Sequence, residues 1–109
     1  MVRLPRLVLA ASVALLAVPA LALDPTPEQD KALTCIAELF IIGAAQDVQD
    51  LVVRSGDLEG RFRTEAEAAG ASEADLDALI DTYMGKTDDL LGSGADPVVP
   101  IEDCKSLAE

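Results

Sequence analysis

The residues most open to chemistry are two cysteines, Cys35 and Cys104, placed toward opposite ends of the chain. Neither belongs to a C-x-x-C pair, so the spacing of a dithiol redox site or a haem attachment is missing. Zinc would need further His or Cys ligands, and the sequence has no histidine. That absence also removes the usual base near neutral pH and every Ser-His or Cys-His nucleophile arrangement. Only three lysines remain, Lys31, Lys86 and Lys105, none of them in a motif. The glycines of "GSGAD" are followed by no Lys-Ser/Thr pair and do not follow a strand pattern, which excludes a phosphate loop. The expectation is a protein that is not an enzyme, with no cofactor and no metal.

The cysteines are then expected to pair with each other. A Cys35–Cys104 bridge closes a loop of about 70 residues, worth roughly 4 kcal/mol of chain entropy. Such a bond needs an oxidising compartment, and the N-terminus supplies a route to one. Arg3 and Arg6 precede the apolar run "LVLAASVALLAV", which Pro19 breaks ahead of Ala20-Leu21-Ala22. Residues 1–22 thus read as a Sec-type signal peptide, cleaved to leave one acidic domain over 23–109 in the periplasm or outside the cell, with a retained membrane anchor as the alternative.

Charge narrows the partners. The whole chain carries a net charge of −12; without Arg3 and Arg6, six bases face 20 acids, giving −14. That is the wrong sign for nucleic acid or an anionic membrane surface. Glu73, Asp77 and Asp81 align at i, i+4 and i+8 of one helix, a solvent face with a weak cation site as the alternative. Asp47 falls near an apolar stripe, either at a bend or paired with Arg54 or Arg61, or else a buried carboxylate. Arg61 and Arg63 flank Phe62 in "GRFRTE"; they are expected to pair with Glu59, Glu65 and Glu67, the alternative being a docking spot for an acidic group.

The elements that must position these residues are helices. Thr26-Pro27-Glu28-Gln29 combines an N-cap, a proline at the first helical position and a capping box. No further proline occurs before Pro97, so the first helix is expected to run about 28 residues to Gly56, bending near Gly43. A second is expected over Asp57 to Ala69, ended by Gly70, and a third, capped by Ser72, over Glu73 to about Leu91. The tail starts extended because Pro97 and Pro100 disfavour helix in the residues before them, and Pro100 opens a short helix carrying Ile101, Cys104 and Leu107. The fold class is all-α: a small single-domain bundle of three helices plus a short C-terminal helix, stapled by one disulfide.

On the first helix the main stripe is Leu33, Ile36, Ala37, Phe40, Ala44, Val48 and Leu51. Cys35, Leu39 and Ile42 fall opposite it, so "TCIAELFIIG" is apolar all round for about two turns. A tail pinned by Cys104 brings Val98, Val99, Ile101 and Leu107 over Leu39 and Ile42. Where that cover is incomplete, Leu39, Ile42, Val98 and Val99 form a candidate interaction patch for an envelope protein or a second copy.

In layout the chain is similar to the small HdeA-type periplasmic acid-stress chaperones: exported, helical, under a hundred residues, with one long-range disulfide. That resemblance implies an acid-responsive chaperone, and acid would swing the mature charge from −14 to about +6. The leading expectation is a non-enzymatic accessory protein acting through protein contacts. The alternatives are the acid-responsive chaperone and a weak binder of cations or small apolar ligands.

Overall fold

The structure is a computed structural model and describes residues 24–109. Residues 1–22, expected to be a signal peptide, lie outside the described residues. Four helices follow in order: α1 (Pro27–Gln46), α2 (Gln49–Ala68), α3 (Glu73–Gly92) and α4 (Ile101–Leu107). No strand occurs among the described residues, and Cys35 is bonded to Cys104 across a Cα separation of 5.2 Å. The all-α bundle with a stapled tail helix is therefore the fold.

Local chemistry explains most boundaries. At the start of α1 the Gln29 N–H donates to Thr26 Oγ1 (3.1 Å), and the Thr26 N–H donates to Gln29 Oε1 (2.9 Å). Ser72 Oγ accepts from the Asp75 N–H to open α3 (3.1 Å). The ends of α1, α2 and α3 share one motif, in which a residue at positive φ turns the chain and two N–H groups fold back onto the last carbonyls. Gly70 (φ 105) and Gly94 (φ 93) fill that position after α2 and α3. After α1 it is Asp47 (φ 58), with the Val48 N–H donating to Gly43 O (2.8 Å) and the Asp47 N–H to Ala44 O (3.4 Å).

This corrects the expected 28-residue first helix. The chain reverses at Asp47 and Val48, α2 begins at Gln49, and Gly56 lies inside α2 instead of ending a helix. An aspartate took the left-handed position that usually goes to glycine, so the stop was not visible as one.

The early reversal also rotates the packing face. With Val48 and Leu51 counted in α1, the expected stripe runs through Phe40 and Ala44. In the structure these two face solvent, and α2 returns along the side of α1 that carries Leu39 and Gly43. Gly43 makes the approach possible, since a Cβ there would sit 2.9 Å from Leu51 Cβ and 3.0 Å from the Val52 backbone nitrogen. Ser55, also buried, donates its hydroxyl to Ile36 O (2.8 Å) across the same contact.

α1 is the central helix and touches each of the other three. Leu33, Ile36 and Leu39 of α1, Leu51, Leu58, Phe62 and Ala66 of α2, Leu76, Leu79, Ile80 and Tyr83 of α3, and Cys104 of α4 belong to one buried core. Arg63 ties α2 to α3 by bonding Glu59 and Asp77 (2.9 and 2.8 Å). The Tyr83 hydroxyl donates to Asp30 (2.5 Å); burial, then this bond, push the phenol up to about 12.

Candidate functional site

Seven consecutive residues of α1, Leu33 to Leu39, are buried. One of them is a carboxylate. Glu38 is 1% exposed and forms no ion pair among the described residues. Its Oε2 accepts the N–H groups of Val98 (2.6 Å) and Val99 (3.3 Å), the two residues where the extended tail bends toward α4. Its Oε1 lies 3.6 Å from Cys104 Sγ, which carries no hydrogen because it is bonded to Cys35. Burial raises the Glu38 carboxyl above its ordinary 4.5, and the two N–H bonds oppose that rise. The side chain thus holds the tail to α1 beside the disulfide.

Asp47, expected at a bend or paired with Arg54 or Arg61, with a buried carboxylate as the alternative, stands at the bend. That residue is exposed and serves as the turn after α1, while Arg54 bonds Asp50 instead (2.9 Å). The available signal for Glu38 was that it is the only charged residue within "TCIAELFIIG".

Two arginines of α2 secure the tail from the other side. Arg54 Nη1 donates to Lys105 O (3.2 Å) and Arg61 Nη2 to Leu107 O (3.0 Å), meeting carbonyls that the end of α4 leaves open. The pairing of Arg63 with Glu59 was expected; the bonds to Asp77 and to the α4 carbonyl were not. Phe62 between them is buried and Arg63 is held by Glu59 and Asp77, whereas Arg61 is exposed and forms no ion pair with Glu59, Glu65 or Glu67.

The four residues of the expected interaction patch are brought to one side of α1 but at different depths. Leu39 is wholly buried and is not part of any surface. Val99 is partly buried, Ile42 lies partly covered on the core, and Val98 is 66% exposed. Beyond Leu39 the tail leaves an open groove of about 430 Å³ at the end of the bundle. Ile41, Ile42 and Ala45 of α1, Leu91 of α3, and Pro97 and Ile101 of the tail line it. Phe40, 43% exposed, and Ala44 continue the same helix face outward. Ile41 and Ala45 did not read as surface in the sequence because α1 was turned by the wrong stripe.

Other sequence candidates remain apart. Glu73, Asp77 and Asp81 are exposed, and Asp77 is engaged by Arg63. Among the described residues no group of three or more His, Cys, Asp or Glu side chains is arranged to hold a metal ion. Nor is any helix there long and apolar enough to cross a membrane. No protein-family model matches the chain, and neither do any curated protein or solved structure.

Proposed function

We propose that this is an exported, non-enzymatic accessory protein that works by protein contact through the apolar groove at the Gly43 end of the bundle. The observation that carries the reading is the groove itself, an open apolar surface left where the stapled tail stops covering α1. The Cys35–Cys104 bond supports the compartment, since such staples persist where thiols are oxidised. Segment 1–22 supplies the export signal in this reading, and the exported protein then begins at Leu23.

Photo-crosslinking tests it. A photoreactive side chain at Ile42, Leu91 or Val98 is expected to form a discrete adduct in the producing cell, and one at exposed Asp81 is not. Adducts no stronger from the groove than from Asp81 would overturn the reading. N-terminal sequencing of the exported protein checks the cleavage site.

Glu38 lends the acid-responsive alternative no support. A carboxyl raised in the folded state contributes stability that is full below its ordinary 4.5 and lost as pH rises through the raised value. Acid relieves the cost of burying this charge, although it weakens the two N–H bonds to the tail.

A further inference from the structure

The groove is lined by residues of two stretches of chain, 41–51 and 91–101, and neither contains a lysine or arginine. Together they carry Asp47, Asp50 and Asp96, all exposed, and exposed Asp88 stands about one turn before Leu91 on the same side of α3. Asp50 is bonded to Arg54. Asp47, Asp88 and Asp96 form no ion pair among the described residues. Asp47 follows Gln46 of the α1 wall and Asp96 precedes Pro97. The apolar floor therefore has unpaired acids beside it and no lysine or arginine within its lining stretches.

We propose that the groove receives an amphipathic helix whose apolar face is flanked by Lys or Arg, supplied by a basic partner protein. This rests on the contact reading above and adds the partner's chemistry. A helix laid in a groove buries its apolar stripe and leaves its flanks at the rim, where opposite charges steer and orient it. A second copy of this chain fits badly, because it brings the same acidic rim against itself. An anionic lipid surface is repelled for the same reason.

The test uses three synthetic peptides of about five helical turns with the same leucine face and flanks of Lys, Gln or Glu. Binding to the disulfide-bonded protein is read by fluorescence anisotropy and by amide shifts. The Leu/Lys peptide is expected to shift Ile41, Ile42, Leu91 and Ile101, to weaken as salt rises, and to bind well above the Leu/Gln peptide. The Leu/Glu peptide is expected not to bind.

Reversing Asp47, Asp88 and Asp96 to Lys is expected to weaken the Leu/Lys peptide by on the order of tenfold. Reversing Glu65, Glu67 and Asp81 changes the net charge equally, with two of the three at the opposite end of the bundle, and is expected to have far less effect. Equal loss from both triple variants, or shifts spread over the acidic surface, would overturn the proposal as mere charge attraction. Equal binding of the Lys and Gln peptides at the groove overturns the basic partner while leaving the contact reading standing. If no peptide moves the groove amides, the contact reading falls as well. Concentration-dependent dimerisation that protects Leu91 and Val98 would make a second copy the occupant.

Discussion

The two halves of α1 live in different surroundings although both are apolar. From Leu33 to Leu39 the helix is enclosed by α2, α3 and the stapled tail, deeply enough that even Glu38 has lost its water. From Phe40 onward only the side bearing Gly43 is packed, and Phe40, Ala44 and Ala45 look outward. The difference lies in what can reach each half. The tail is fixed at Cys104 and at Glu38, so its cover is centred on the first half and thins toward the reversal at Asp47. Enclosure yields a rigid structural centre; the shortfall yields a groove.

The largest way to break this contrast is to release the cover. Replacing both cysteines by serine should cost about 4 kcal/mol and open the first half of α1, read as a fall in the urea midpoint and loss of amide protection at Ile36 and Leu39. Retained protection there would mean that the tail is held without the bond.

Gly43 tests the packed side of the second half. Gly43→Ala forces a methyl against Leu51 and the Val52 backbone, and should destabilise by about 1–3 kcal/mol. Gly60→Ala, in the middle of α2 with nothing within 4 Å of the new carbon, should instead stabilise by about 0.5–1 kcal/mol. Thermal melts of the pair decide it, and a common sign for both would refute the close approach.

At Glu38, alanine leaves two N–H groups without their acceptor and should cost about 1–2 kcal/mol. Glutamine keeps an oxygen for both bonds and buries no charge. Because the Glu38 carboxyl is raised, wild-type stability should decline as pH climbs above 4.5 relative to Glu38→Gln, with the two converging in acid. Parallel curves between about pH 4 and about pH 8 would show that the carboxylate titrates normally.

Smaller effects sharpen the boundary. Asp47→Gly removes a side chain from a left-handed position and should stabilise by about 0.5–1 kcal/mol. Phe40→Ser, on the open face, should stay within about 0.5 kcal/mol of wild type, whereas the same change at buried Leu39 should be severe. Comparable losses at the two positions would mean that the face of Phe40 is covered after all.

Helix starts were readable because their chemistry is local. Thr26 with Gln29, Pro27 and Ser72 each act within one turn, and Gly70 and Gly94 announce the next two stops by the backbone they alone adopt easily. The Cys35–Cys104 pairing was readable by elimination, there being no other thiol. The stop at Asp47 was not readable: an aspartate tolerates left-handed φ but does not require it. The orientation of α1 failed with it, since the stripe was drawn across a reversal. Glu38 stood in plain sight within an apolar run, yet nothing in that run tells whether an acid points to water or to a backbone.

Composition, capping and the cysteine count by themselves determined an acidic, helical, stapled chain without histidine chemistry, because each of those depends on residue type or on neighbours a few positions away. The tertiary structure alone decided which side of α1 is core, which carboxylate is buried and where the cover ends. Those depend on how closely α2 passes Gly43 and how far the tail reaches from Cys104, distances set between segments far apart in the chain.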